Sequence, residues 1–173
     1  MAEALAHIAR VDGLGMVMIR ADLARAGDAI ADAAGLAIPA QARFTTDGSR
    51  WLGWMSPDEL LLIVPGADRA GAVAALEQAL MGEHGLVADV SDMRVVFDLT
   101  GRKPEQVLAK LAPVDFAALP ADGLRRTRAA QVAAAMWRQG EGGWRLIGMR
   151  SVAGYLAEIL TNAAMPGSDL DPR

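Results

Sequence analysis

Three aspartates lie close together near the middle of the sequence. Asp89 and Asp92 flank Ser91, and Asp98 follows them on the next apolar segment. Two carboxylates held side by side could serve as a general acid and a general base. Asp and Ser between two strands also commonly accept hydrogen bonds from backbone N–H groups in a turn. Both interpretations stay open here, and turn chemistry, with Arg94 as a local ion-pair partner, is the favoured one.

Other familiar catalytic motifs are missing from the sequence. The chain has no Cys, and neither His7 nor His84 has a second histidine at ligand spacing, which disfavours thiolate chemistry and metal binding. The glycine-rich stretches that begin at Gly13 and Gly140 lack the third Gly of a dinucleotide fingerprint, and no Ser lies in a G-x-S-x-G motif. We therefore predict no catalytic, cofactor-binding or metal-binding residue in this chain.

Arginine and tryptophan residues suggest binding to another protein instead. The segment "LRRTR" holds the densest positive patch, which is either the solvated edge of a strand or a contact with a partner, with equal weight. For any single tryptophan, packing in the core is the favoured interpretation. Trp51 and Trp54 are three residues apart on a predicted strand, so they point to opposite faces and one could face a partner. The predicted partner interface consists of Trp51, Trp54, Met55, Arg125, Arg126 and Arg128.

The elements that would position these residues form two similar halves. In the first half we predict strand 16–19, a helix from the N-cap Asp22 to Gly35, a hairpin around Asp47-Gly48, strand 60–64 and helix 68–81, with Ser56 as a helix cap. In the second half we predict strand 95–99, a helix starting at Pro104, a hairpin of 126–137 with 144–149, and a final helix capped by Ser151.

The recurrence of these elements at an offset of roughly 80 residues favours an ancient duplication. Two β-α-β-β-α halves predict an α+β fold related to the ferredoxin-like folds, with helices on one face of an antiparallel sheet. The predicted halves are residues 1–86 and 87–165, together one compact unit, followed by a flexible tail at 166–173. In the final helix, Val152, Tyr155, Leu156 and Ile159 are predicted to face the core.

Composition favours a folded protein whose partners are neither nucleic acid nor membrane. The 173 residues, 53% hydrophobic and 22% charged, can form one compact domain or two small fused halves. A net charge of −4 gives no overall attraction to phosphate or anionic lipid. Glu3, Arg10 and Asp12 interrupt the N-terminal apolar pattern, and no run approaches about 18 apolar residues. We therefore expect a cytoplasmic location.

The segment "DVSDMRVVFDLTGRKPEQVLAKLAPVDF" resembles the central signature of the sarcosine oxidase gamma subunit family. Two other segments, "WMSPDELLLIVP" and "GMRSVAGYLAEIL", are similar to that family's P-D-E-x-L-L and R-S-x-x-x-Y-L motifs. The similar segments follow the family order over residues 15–164. The matching positions are Asp89, Ser91, Asp92, Arg94, Gly101, Asp115, Arg150 and Ser151.

This resemblance implies a non-catalytic subunit of a bacterial oxidoreductase complex, the heterotetrameric sarcosine oxidase. The assembled enzyme would oxidatively demethylate sarcosine to glycine, with formaldehyde or methylene-tetrahydrofolate and hydrogen peroxide as the other products. The resemblance places FAD, FMN, NAD and tetrahydrofolate in the partner subunits and none of them in this chain. The implied partners are the large flavoprotein subunits, alpha and beta, and the delta subunit. The assembled enzyme would act in sarcosine catabolism and one-carbon metabolism.

The same segments resemble, more distantly, the tetrahydrofolate-binding aminomethyltransferase fold, which also has two related halves. That resemblance implies architecture and not activity, because those proteins carry a functional acid on the strand after the P-x-D-like region. Here the corresponding stretch is "AAQVAAAMW", and Asp115 is the nearby matching acid. A free-standing folate-binding or aminomethyltransferase-like protein is therefore the alternative, and an unrelated adaptor with this fold is a third hypothesis.

Overall fold

The computed structural model describes residues 3–170 and confirms an α+β fold with two five-stranded antiparallel sheets. In chain order the elements are β1 (His7–Val11), β2 (Leu14–Ala21), α1 (Leu23–Ala34), β3 (Phe44–Thr46), β4 (Trp51–Ser56), β5 (Glu59–Pro65), α2 (Arg69–Ala79), β6 (Gly85–Asp89), β7 (Arg94–Thr100), α3 (Pro104–Ala109), β8 (Leu124–Ala129), β9 (Val132–Gln139), β10 (Gly143–Met149) and α4 (Ala153–Ala163). The chain divides into two compact units. We call residues 13–92 the first unit and the remaining described residues the second unit.

The first unit has the strand order β3-β4-β5-β2-β6, with α1 and α2 packed against one face. The start of α1 is fixed by Asp22, whose carboxylate accepts a hydrogen bond from the Ala24 N–H at 3.0 Å. Its end is fixed by Gly35, which adopts a left-handed conformation at φ 70°. The core of this unit is aliphatic and includes Val17, Ile19, Ile30, Leu52, Leu62 and Leu76.

The second unit has the strand order β1-β7-β10-β9-β8, with α3 and α4 packed against one face. Pro104 opens α3, where a missing N–H is harmless, and Val107 and Leu108 on that helix are fully buried. The core of this unit adds aromatic side chains to the aliphatic ones and includes Phe97, Leu99, Phe116, Trp144, Leu146, Leu156 and Leu160.

The two sheets repeat the same order of equivalent strands, as the predicted duplication requires. Leu14 opens β2 and Arg94 opens β7, an offset of 80 residues (94 − 14). The edge strands do not follow the sequence order. β1 directly precedes β2 but pairs with β7, and β6 directly precedes β7 but pairs with β2. The units consequently meet in the sequence at residues 12/13 and 92/93, whereas the sequence analysis placed a single boundary at 86/87.

Several local predictions were wrong. Ser56 does not cap a helix, since it ends β4 and donates a hydrogen bond to Asp58 at 2.8 Å in a hairpin turn. Ser151 lies within a 3₁₀ turn, 150–152, and its side chain makes no capping bond to α4. The predicted strand 126–137 is two strands, because the chain turns at Ala130, where φ is 50°.

The final helix differs from expectation at one position, and part of the tail makes contacts. On α4, Leu156 is buried and Val152 and Ile159 pack partly against the core, but Tyr155 is 37% exposed. Residues 168–170 of the predicted tail bind α3 and its flanks. Lys103 pairs with Asp169 at 2.6 Å, and the Leu170 N–H bonds to the Gln106 side chain at 3.0 Å. Residues 171–173 of that tail lie outside the described part of the chain.

No helix within residues 3–170 is long and apolar enough to cross a membrane.

Candidate functional site

The first part of the central signature is a hydrogen-bonded connection at the end of β6. The Ser91 hydroxyl donates to the Asp89 carboxylate at 2.6 Å and accepts from the Met16 N–H on β2 at 2.9 Å. The Ser91 N–H also bonds to the same carboxylate at 3.0 Å, and the Val90 N–H bonds to the Met16 carbonyl at 2.8 Å. These bonds hold the chain against β2 immediately after it leaves β6.

The Asp89 carboxylate is therefore occupied by partners within the first unit. Arg69, at the start of α2, forms an ion pair with it at 3.3 Å. Hydrogen bonds from Ser91, together with the positive charge of Arg69, hold the pKa of Asp89 below its usual range. A general acid at neutral pH needs a raised pKa, so this geometry favours the turn interpretation over a paired-acid site.

The other two aspartates of this segment have different surroundings. Asp92 is exposed in a 3₁₀ turn, 91–93. Asp98 lies in the middle of β7, opposite Arg145 on β10, and the two side chains form a bidentate ion pair at 2.6 and 2.7 Å. Both partners are largely buried, with 25% and 13% of their side-chain surfaces exposed. Asp98 is thus a cross-strand ion-pair partner in the second unit.

The remaining signature positions also lie in turns or contact neighbouring residues of the fold. Arg94 opens β7, and its guanidinium contacts the Met149 sulfur at 3.4 Å. Gly101 has φ 121°, a conformation that favours glycine, and lies close to the backbone of Ala6. The Asp115 carboxylate accepts from the Ala118 N–H at 3.2 Å, as in a turn. Two further positions, Arg150 and Ser151, fall in the 3₁₀ turn before α4.

The stretch that corresponds to the acid-bearing strand of the aminomethyltransferases, residues 129–137, covers the end of β8 and most of β9, and the centre of β9 consists of alanines. Ala134 and Ala135 are buried, followed by Met136 and Trp137, which are fully buried. The acid expected from the aminomethyltransferase resemblance is therefore replaced by small side chains in a packed strand. Among residues 3–170, no three His, Asp or Glu side chains lie together as a metal ion would require.

The predicted partner interface falls on both units. Trp51 and Met55 are each only 6% exposed, and Trp54 is partly buried against the aliphatic core of the first unit. Trp51 and Trp54 lie on opposite faces of β4, as alternation predicted, because Trp54 shares the face of Leu52. Trp51, Trp54 and Met55 therefore all have most of their side-chain surface buried.

The three arginines of the predicted interface lie on β8, an edge strand of the second unit. Arg125, Arg126 and Arg128 are all exposed, whereas Leu124 and Ala129 at the two ends of the strand are buried. β8 pairs with β9 along one side, and no other strand of the described chain pairs with its second side. This arginine edge is the exposed part of the predicted interface.

A cavity with a volume of about 1120 Å³ lies in the first unit. It is bordered by the start of α1 and the β4-β5 turn. Its arginines already have partners, since Arg20 pairs with Asp58 at 2.5 Å and Arg25 with Glu83 at 3.2 Å. The cavity therefore has mixed, internally paired charges that do not indicate one class of ligand.

Ser91 gives a direct test of the signature connection. We expect Ser91→Ala to lower the free energy of unfolding by about 1–3 kcal/mol, because the buried Met16 N–H loses its acceptor. The measurement is urea denaturation followed by circular dichroism. Ser49→Ala is the matched control, since Ser49 bonds to Asp47 at an exposed turn and should cost less than about 0.5 kcal/mol. Equal stabilities of the two variants would rule out the proposed role of Ser91.

The same variant should alter the response to acid. Because the pKa of Asp89 is lowered by folding, its interactions stabilise the fold above the unfolded-state pKa of about 3.9. That stabilisation is lost as the pH falls through the lower, folded-state pKa. Ser91→Ala removes the main cause of the shift, so its stability should fall less than that of wild type between pH 5 and acidic conditions.

Comparison with known proteins identifies the family to which this chain is similar. The profile of the "Sarcosine oxidase, gamma subunit family" matches residues 20–165. The sarcosine oxidase subunit gamma of Arthrobacter sp. is 34% identical over 120 residues, which span 65% of this chain and 58% of that subunit. A chain of the heterotetrameric sarcosine oxidase from Corynebacterium sp. U-96 superposes with a TM-score of 0.88 at 26% identity, covering 97% of this chain and 88% of that one.

The aminomethyltransferase resemblance also has a structural counterpart. The glycine cleavage system aminomethyltransferase T from Bartonella henselae superposes with a TM-score of 0.66 at 20% identity, over 92% of this chain and 46% of that one. At this identity the similarity concerns the fold alone. The family profile extends over most of the chain and includes the Asp89 to Arg94 signature and both flanking motifs. This chain therefore belongs to the sarcosine oxidase gamma subunit family.

Proposed function

We propose that this chain is the non-catalytic gamma subunit of a heterotetrameric sarcosine oxidase. The observation that carries the proposal is the superposition of 97% of the chain on a chain of such an enzyme, with a TM-score of 0.88. The complex would oxidatively demethylate sarcosine to glycine, with formaldehyde or methylene-tetrahydrofolate and hydrogen peroxide as products. This chain would contribute a folded surface for assembly and no reacting group.

The partners in this proposal are the alpha, beta and delta subunits, in the cytoplasm of a bacterium. FAD, FMN, NAD and tetrahydrofolate would be bound by those partners. The contacts of the signature support a structural role for this chain, because Asp89 and Asp98 are each held by an arginine and Ser91 by a backbone group. Residues with such contacts position the strands on which they lie.

Co-expression tests the proposal. We expect an affinity tag on this chain to recover the alpha, beta and delta subunits of the same organism in equal amounts, with bound flavin absorbing near 450 nm. The complex should oxidise sarcosine and release hydrogen peroxide, measured with a peroxidase-coupled assay. The chain purified alone should be colourless. Recovery of the tagged chain without any of the large subunits would overturn the proposal.

The folate-binding alternative is tested with the isolated chain. Calorimetric titration with tetrahydrofolate should give no binding heat if the chain only assembles the oxidase. Saturable binding of one tetrahydrofolate, together with aminomethyl transfer in the absence of the other subunits, would instead establish a free-standing aminomethyltransferase-like protein.

A further inference from the structure

The outer side of β8 combines a free strand edge with concentrated positive charge. β8 is six residues long, and within residues 3–170 its second side has no strand partner. An unpaired edge presents backbone N–H and C=O groups to which another extended segment can bond. The three other sheet edges differ from it. β3 has only three residues, β6 ends at the internally paired Asp89, and β1 carries one arginine, Arg10, which pairs with Asp12.

The charge of β8 is not balanced by acids on the same strand. The strand "LRRTRA" has three arginines and no Asp or Glu, although the whole chain has a net charge of −4. Arg125 and Arg128 form no ion pair within the described residues, whereas arginines elsewhere, such as Arg20 and Arg145, do. The Arg guanidinium binds carboxylates with two parallel hydrogen bonds, so these side chains suit an acidic ligand.

The arginines project from both faces of the sheet. Arg125 lies opposite Met136 and shares its face, which is the face of the second unit's core. Arg126 and Arg128 lie opposite Ala135 and Ala133 on the other face. A strand added at this edge would place its successive side chains beside arginines on both faces, at the distance of cross-strand pairs.

Charge decides which occupant fits this edge. A second copy of β8 would bring arginine against arginine, and like charges opposite each other destabilise a strand pair. Nucleic acid is disfavoured, because the net charge of −4 repels a polyanion beyond the local patch. A protein segment with alternating Asp or Glu residues can bond to the backbone groups of the strand edge and can also pair its carboxylates with the arginines.

We propose that the outer edge of β8 binds an extended, acidic segment of a partner subunit, which adds a sixth strand to the sheet of the second unit. This inference rests on the proposed function, because the partner is a subunit of the oxidase. The backbone hydrogen bonds provide a general attachment, and the arginines select the acidic segment.

Charge reversal at the two unpaired arginines tests this inference in the complete complex. We expect Arg125→Glu/Arg128→Glu to weaken binding to the large subunits by about tenfold or more at 50 mM salt, measured by biolayer interferometry. Wild-type binding should weaken as salt is raised, and binding by the variant should depend less on salt. Arg10→Glu/Arg25→Glu is the matched control, since it changes the net charge equally at exposed positions on other elements, β1 and α1. It should bind within about twofold of wild type.

Folding and strand addition are measured separately. Circular dichroism must first show that the β8 variant is folded, and Arg125→Gln/Arg128→Gln, with an intermediate loss of affinity expected, replaces it if it is not. Hydrogen exchange should slow at the backbone amides of Leu124–Ala129 when the complex forms. If wild type binds the large subunits but the β8 variants bind equally well, or β8 gains no protection, this inference is wrong and the proposed function stands. If wild type itself does not bind them, the proposed function is wrong.

Discussion

Replacing Trp144 with alanine should lower the free energy of unfolding by about 3–5 kcal/mol, the range typical of a buried tryptophan. Trp144 on β10 is 1% exposed and belongs to the core of the second unit. Its ring meets Phe116 edge to face, with centroids 4.9 Å apart, and the Arg138 guanidinium lies 4.6 Å from its centroid. Alanine would leave a cavity and remove both the aromatic and the cation–π contact.

Urea denaturation followed by circular dichroism measures this effect. Trp144→Phe is the matched variant, because it keeps an aromatic ring next to Phe116 and should lose only part of the stability. Trp54→Ala provides a second comparison. Because Trp54 is only partly buried, this substitution should lower the free energy of unfolding by less than Trp144→Ala does. A Trp144→Ala protein that unfolds at the wild-type urea concentration would contradict the proposed packing of this core.

Gly53→Ala should lower the free energy of unfolding by about 3 kcal/mol, near the upper end of overpacking effects. Gly53 lies on β4 two residues after Trp51, and the indole ring of Trp51 covers it. A methyl group at this position would lie 2.1 Å from Cη2 of the ring, far inside van der Waals contact. Because Trp51 is itself 6% exposed, its ring has little room to move away.

Gly71→Ala is the matched control for this prediction. Gly71 lies in α2, and an added methyl group would meet no atom within 4 Å. In a helix interior, alanine is favoured over glycine by about 0.5–1 kcal/mol, so this variant should be slightly more stable than wild type. We expect the two Gly→Ala substitutions to change the free energy of unfolding in opposite directions. Tryptophan fluorescence should change only in Gly53→Ala, because only there is the Trp51 ring displaced. Two changes of the same sign would exclude the proposed stacking of Trp51 on Gly53.

The parts of the fold that the sequence predicted are those that local chemistry determines. Asp22 caps α1 and Gly35 ends it because each satisfies backbone groups of neighbouring residues. The turn between β8 and β9 was missed because Ala130 adopts a left-handed conformation that glycine or asparagine usually marks. β1 was missed because a five-residue strand has its hydrogen-bonding partner, β7, far away in the sequence.

The candidate site shows the same division between local and distant determinants. The bond between Ser91 and Asp89 joins residues two apart, and the sequence predicted its turn chemistry. The Arg69 partner of Asp89 and the Arg145 partner of Asp98 depend on which elements are adjacent in the fold. Cross-strand register of this kind cannot be read from spacing along one strand. The sequence left open whether the β8 arginines form a solvated strand edge or a partner contact, and the sheet order shows that β8 is an edge.

The pairing of β1 with β7 has a consequence for how the chain folds during synthesis. The first unit is continuous in sequence, so it can form as soon as residues 13–92 have left the ribosome. β1 is made before that unit, yet His7 pairs with Thr100 and must wait for β7. At about 5–20 residues per second, this strand stays unpaired for seconds. β1 is not a continuous apolar run, because His7 and Arg10 are polar and exposed, and these two side chains would keep the waiting strand from aggregating.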